Sequence, residues 1–238
     1  APEDVVAGDL VLYNNQPGTV WGAEGEFVSA PRLDDLACVF ACTEGFLTAQ
    51  ERDMVPVLCV FDNEEIGSET KQGAASVFLP ETLAAISEAL GLSAADHRAL
   101  LADSMMLSCD NGHARHPNHP ELADTNEAPV LNGGVVVKHS PRYATDGVST
   151  AVFTELCRRA EVPVQHYANR PDQMGGATLG NIADTKLPIP TVDIGMAQLA
   201  MHSCFETMGS RDVAHFVRAV TACYEAALTF TDTQVTLG

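Results

Sequence analysis

Short apolar runs alternate with helix-length amphipathic stretches along this chain, and that alternation limits the fold more than any other feature. Residues 55–61, 104–109, 135–138, 164–167 and 191–194 have the length and β-branched content of buried strands. Between them, Leu36, Val39, Phe40 and Phe46 follow helical spacing. Residues 74–90 and 94–101 read as helices, and residues 146–160 put Val148, Val152 and Leu156 on one helical face. A last amphipathic helix carries Val213, Phe216, Val217, Val220, Tyr224 and Leu228. Residues 1–30 differ. Val11, Leu12 and Tyr13, a turn over 14–18, then Val20 and Trp21 suggest a hairpin or linker. The predicted fold is α/β, a mixed β-sheet sandwiched by helices. In such sheets ligands gather beyond the carboxyl ends of strands.

Composition removes several classes of function. Thirty-two acids against 13 Lys and Arg give a formal charge of −19, which repels nucleic acid and anionic lipid. No apolar run reaches the roughly 18 residues that a membrane span needs. No basic segment followed by an apolar one stands at Ala1, and the absence of an initial Met suggests a processed or truncated product. The seven cysteines are odd in number, lie mostly in apolar stretches and form no C-x-x-C pair. That pattern fits reduced thiols in the cytoplasm rather than a disulfide scaffold.

The polar residues that follow the predicted strands are chemically loaded. The run 55–61 leads directly into Asp62, Asn63, Glu64 and Glu65. Crowded carboxylates there repel unless a cation or a shared proton compensates, although an acidic helix start explains them locally too. The strand 104–109 ends at Asp110, and His113, His116 and His119 follow within nine residues. Carboxylate and imidazole together are the donor set of zinc and similar ions. Asp34 and Asp35 open a helical stripe, where an ordinary N-cap is the simpler explanation. His202 sits in an apolar setting, where a core histidine is the commoner case. The glycine-rich stretch 175–180 fits no nucleotide fingerprint and reads as a loop whose backbone approaches a ligand.

Taken together, P-R-L-D-D-L (31–36), D-N-E-E-I-G-S (62–68), S-M-M-L-S-C-D-N-G-H-A-R-H-P-N-H (104–119) and L-A-M-H-S (199–203) resemble the aspartyl aminopeptidase family of zinc metallopeptidases. The similarity runs from about Leu10 to about Ala226. It implies a zinc-peptidase-like catalytic domain over 31–238, with 1–30 as a linker or the tail of a lid and dimerisation domain. It implies a two-metal aminopeptidase, with Asp34 bridging two ions, Glu65 and His202 completing one site, Asp110 serving the other, and Glu64 as general base. His113, His116, Lys138 and Tyr143 are candidates for substrate contacts. Lys138 is either a cation suited to an acidic N-terminal residue or an ordinary solvated surface lysine. Zinc is expected, two ions per complete site, with manganese or cobalt as substitutes. The resemblance also implies a peptide substrate and a homo-oligomer.

One departure stands out. The family uses a histidine from an N-terminal H-x-D motif, and this chain has no H-x-D. The expectation is therefore a sheet lacking N-terminal strands and most of the lid, and at most one tightly held metal unless a separate N-terminal fragment completes the site. The competing readings are an inactive remnant that binds one metal or only associates with partner chains, and a two-metal deacylase or carboxypeptidase on a similar sheet.

Overall fold

The structure, a computed structural model, describes residues 2–50, 54–173, 175–231 and 234–238. A short 3-10 turn, Pro2–Asp4, leads into an irregular segment. Strands β1 (Thr19–Trp21) and β2 (Phe27–Ala30) form a hairpin, followed by helix α1 (Leu33–Thr48). A 3-10 turn, Glu64–Ile66, precedes helices α2 (Phe78–Ala89) and α3 (Ala94–Ala102). Strands β3 (Met106–Cys109) and β4 (Gly112–His113) follow, then β5 (Val135–His139), helix α4 (Gly147–Arg159) and β6 (Val164–Ala168). The chain continues through helix α5 (Leu179–Asp184), β7 (Thr191–Gly195), β8 (Ala197–Leu199), β9 (Glu206–Gly209) and helix α6 (Ser210–Glu225). It closes with the small hairpin β10 (Leu228–Phe230) and β11 (Val235–Leu237).

Two principal sheets result. One has the order β3-β7-β5-β6, with β7 and β5 antiparallel and the outer pairs parallel. The other has the order β1-β2-β9-β8-β4, antiparallel except for β4 beside β8. The expected mixed α/β architecture is present. The parallel pair β3/β7 passes through Asp110 and Met196 and re-forms as β4/β8 in the second sheet. Asp110 N–H donates to Ile194 O at 3.0 Å and Gly112 N–H to Met196 O at 3.0 Å, so the ladder is unbroken across the seam. Gly195 permits this turn, because a Cβ there would lie 2.0 Å from the Asp110 carbonyl oxygen.

The core lies between the four-stranded sheet and the packed pair α1 and α6. Val135, Val137, Val192 and Ile194 meet Cys38, Ala41, Phe216, Ala219 and Val220, all nearly without exposure. Small residues on α1 set the spacing of the helices. A Cβ at Gly45 would approach Val220 Cγ1 to 2.9 Å. Helix α4 packs on the same side, against α6 and β7, with Phe153 and Cys157 in the same core. It is fixed by a reciprocal cap, in which Asp146 accepts from Ser149 N–H and Ser149 Oγ accepts from Asp146 N–H.

Several sequence expectations need correction. Residues 55–61 form no strand and are largely exposed, with Val55, Val57 and Val60 open to solvent and Leu58 turned toward the core. No strand among the described residues lies alongside to take their backbone hydrogen bonds, and apolar content alone does not make a ladder. The N-terminal hairpin turns between Trp21 and Phe27 rather than over 14–18, and Val11, Leu12 and Tyr13 are exposed outside it. Leu36, Phe40 and Val148, expected on inward faces, point to solvent. Leu228, expected on the last helix, lies in β10 because that helix ends at Glu225. No helix among the described residues is long and apolar enough to cross a membrane.

Candidate metal centre

Four chain segments converge where the two sheets join. The first leaves β2 through Arg32, whose φ of 58° is left-handed, and delivers Asp34 and Asp35 before regular helical geometry begins. The peptide bond between these two aspartates is cis. The second is the seam, which places Asp110 directly after β3. The third is the 3-10 turn carrying Glu64 and Glu65, entered through left-handed Asn63 and closed by Gly67 N–H donating to Glu64 O. The fourth is the tip of the β8–β9 hairpin, where Ala200 and His202 both have positive φ and His202 turns back toward Asp34.

These segments bring the expected residues together. His202 Nε2 lies 3.2 Å from Asp34 Oδ2 and 3.0 Å from Glu65 Oε2. Asp34, Glu65 and His202 place one ligand atom each within 4.8 Å of one another, and Asp34, Asp35 and Asp110 do the same. Glu64, His113, His116, Lys138 and Tyr143 line the same cavity, of about 680 Å3. The loop 175–178 forms part of its far wall, as the glycine-rich stretch implied.

The electrostatics show a shortage of positive charge. The Asp34 side chain retains only 3% exposure, and its Oδ1 is buried with no hydrogen-bond partner. Burial, then the charges of Asp110, Glu65, Glu206 and Glu64, push its pKa up to about 8. Burial, then Asp110 and Glu65, raise Glu64 to about 7, against the opposing pull of Lys138 and His202. Asp35 is also driven well up, by burial first and Asp110 second. An orphaned carboxylate oxygen, surrounded by acids and one imidazole, is the environment that a divalent cation relieves. The donor set therefore fits zinc, which Asp34, Glu65 and His202 would hold.

Lys138 is 1% exposed and has its own partners. Its Nζ donates to Asp110 Oδ2 at 2.8 Å, Asp110 O at 2.7 Å and Asn111 O at 3.3 Å. Burial would lower its pKa, but the Asp110 carboxylate outweighs burial and holds it above the usual lysine range. Tyr143 lies beside it, with Nζ 5.5 Å from the ring centroid. Partial burial, then His202 and Lys138, lower the pKa of His113 and favour neutral imidazole. His116 sits farther out, its ring tilted against His119 at 5.3 Å between centroids.

Two polar residues escape the sequence reading, and a third, Asp35, reads there only as a helix cap. Glu206 accepts from the Asp34 and His202 backbones. Asn111 donates its N–H to Asp35 Oδ1 and its side-chain N–H to Leu33 O and Gln198 Oε1. Asp35 joins the carboxylate group itself. For Asp35 and Asn111 the signal was adjacency to Asp34 and Asp110. For Glu206 it was an acid opening an apolar strand four residues after His202.

Comparison with known proteins identifies the family. The family described as aminopeptidase I zinc metalloprotease (M18) matches residues 1–224. A probable M18 family aminopeptidase 2 of Mycobacterium leprae is 42% identical over 230 residues, covering 96% of this chain and 54% of the relative. The crystal structure of yeast aminopeptidase 1 superposes with a TM-score of 0.77 at 33% identity, covering 89% of this chain and 49% of that one. The S. cerevisiae mApe1 dodecamer gives a TM-score of 0.77 at 33% identity, with 88% and 48% coverage. The chain thus spans about half the length of the relatives that it matches. Sequence, fold and converging acids agree: the chain belongs to the M18 family of aminopeptidase I zinc metalloproteases.

Proposed function

We propose that this chain supplies the metal-binding face and general base of an aminopeptidase that removes N-terminal residues, acidic ones by preference, from peptides through a two-metal site. The observation that carries the reading is the convergence of Asp34, Glu65 and His202, with Asp34 Oδ2 3.2 Å from His202 Nε2 and Asp34 Oδ1 left without a partner. Zinc at this position supplies Lewis acidity toward the scissile carbonyl and toward water.

The remaining roles fall to the chain's own groups. Glu64, with its pKa raised to about 7, is matched to take a proton from the attacking water and return it to the leaving amine. Glu65 points to His202 and Asp34 as a ligand, which leaves Glu64 as the base. Neutral His113 is suited to donate a hydrogen bond to the substrate carbonyl oxygen, and Tyr143 and His116 line the space for the peptide. Lys138 is the buried cation in the cavity wall and the residue that favours an acidic substrate side chain. An incoming carboxylate would compete with Asp110 for it.

A second reading has support of its own. The group Asp34, Asp35 and Asp110 contains no imidazole, and Lys138 already neutralises Asp110. On that reading the chain holds one metal and is inactive alone. The dodecameric relative supports a homo-oligomer, and the free cysteines support action in the reducing cytoplasm.

The test is zinc content together with hydrolysis of aspartyl and glutamyl aminoacyl substrates. The two-metal reading expects about two zinc ions per chain and a loss of roughly 10^2–10^4 in rate for Glu64→Gln with zinc retained. About one zinc per chain without turnover supports the second reading. Turnover unchanged in Glu64→Gln removes the proposed base, and cleavage of N-acyl substrates instead points to a deacylase.

A further inference from the structure

Glu206 ties two of the ligand-bearing segments to the same side chain. It opens β9 and pairs in register with Ala30, the last residue of β2. The chain leaving β2 toward Asp34 and the chain arriving from His202 therefore run side by side here. Glu206 is 2% exposed, and its two carboxylate oxygens are divided between these segments. Oε2 accepts from Asp34 N–H at 2.9 Å, and Oε1 accepts from His202 N–H at 2.7 Å. Asp34 and His202 are 168 residues apart in sequence, as their numbers show. Both backbones are irregular: left-handed Arg32 precedes one, and Ala200 and His202 are left-handed in the other. Asp34 N–H, at the non-helical start of α1, and His202 N–H, at the hairpin tip, both donate to this carboxylate, so Glu206 is the fixed point for both.

We infer that Glu206 is a positioning residue for the metal centre, a carboxylate clamp that holds the Asp34 and His202 backbones at the separation cation binding requires. The inference rests on the metal-site reading above. A carboxylate suits the task because it offers an acceptor to each N–H. Glutamine would offer one acceptor and turn its NH2 toward the other donor. The charge also adds to the negative field that attracts a cation.

Asp212 provides the control. It too is fully buried and accepts two backbone N–H bonds, from Asn132 at 2.6 Å and Gly134 at 2.9 Å, but it ties together no ligand-bearing segments. The experiment measures zinc affinity by chelator competition, and the visible absorption of the cobalt-substituted chain, for wild type, Glu206→Gln, Glu206→Asp and Asp212→Asn. Glu206→Gln is expected to weaken zinc binding by about 10–100-fold and to shift the cobalt bands. Glu206→Asp keeps the charge but shortens the arm, so its loss is intermediate, and it also serves if the glutamine variant does not fold. Asp212→Asn should lower the melting temperature while leaving zinc affinity within about twofold. Wild-type affinity and spectrum in Glu206→Gln overturn the clamp. So does an Asp212→Asn variant that loses zinc equally, which would mean general loosening, or a Glu206→Asp variant indistinguishable from wild type, which would mean charge alone. A wild-type chain that binds no zinc overturns the underlying metal-site reading instead.

Discussion

Asp193 and Asp34 are both acids with almost no exposed side-chain surface, and their surroundings are opposite. Asp193, within β7, accepts from Ser108 Oγ at 2.7 Å, Thr178 Oγ1 at 2.6 Å and Ala144 N–H at 2.6 Å. Neutral donors surround the carboxylate and fix three segments to one strand. Asp34, by contrast, has an oxygen with no donor and four acids acting on it. The first arrangement is complete as it stands. The second is complete only with added positive charge. Burial alone therefore does not distinguish a structural acid from a functional one; the sign of its neighbours does.

The comparison breaks most readily at Asp193. Asp193→Ala should cost about 3–5 kcal/mol in denaturant unfolding, because several buried donors lose their acceptor together. Asp34→Ala should leave the metal-free chain at least as stable as wild type, since it removes a carboxylate that its neighbours repel. Equal losses in the two variants would erase the distinction. The next effect is on binding. Asp34→Ala should weaken zinc affinity by at least about 100-fold, or roughly 2.7 kcal/mol, in chelator competition, while a folded Asp193→Asn variant should bind as wild type does.

The smallest effect is on pH dependence. Asp34 rises from 3.8 to about 8 and Glu64 from 4.5 to about 7. Between the ordinary and raised values the folded chain binds more protons than the unfolded chain, so stability falls with rising pH. Urea midpoints of the metal-free protein should therefore decline from about pH 4 to about pH 8 and level off above. Saturating zinc should flatten the slope, and Asp34→Ala should reduce it without metal. A metal-free midpoint that rises over this interval would mean that the acids are already compensated.

Much of the site was legible because strand-end chemistry is local. Asp110 follows β3 and the glycine-rich stretch reaches the cavity, as the sequence suggested. Glu64, Glu65 and His202 were less secure, since their segments read locally as a helix start and a core histidine. Only the combined motifs placed them together. Pairing was not legible. The run 55–61 has strand composition, but a strand needs a neighbour, which a one-dimensional pattern does not reveal. Helix faces were misread for a related reason. On α1 the bulky Leu36 and Phe40 suggested the inward side, whereas Cys38, Ala41, Cys42 and Gly45 face α6 because close helix approach selects small residues. Glu206 was invisible because its role lies in pairing with Ala30, a contact between distant segments.

The seam between the sheets has a consequence for how sequence change reaches the chemistry. Asp110 follows a strand of the four-stranded sheet, while Asp34 and His202 extend from strands of the five-stranded one. The place of Asp110 relative to that pair is thus set where the two sheets join, whereas the pair itself is held by Glu206. A residue outside the lining of the site cavity, such as Gly195 beneath the Asp110 carbonyl, acts on that junction directly. Remote packing and alignment at the centre are a single mechanical variable in this architecture, and drift at the seam is read out as retuning of the site.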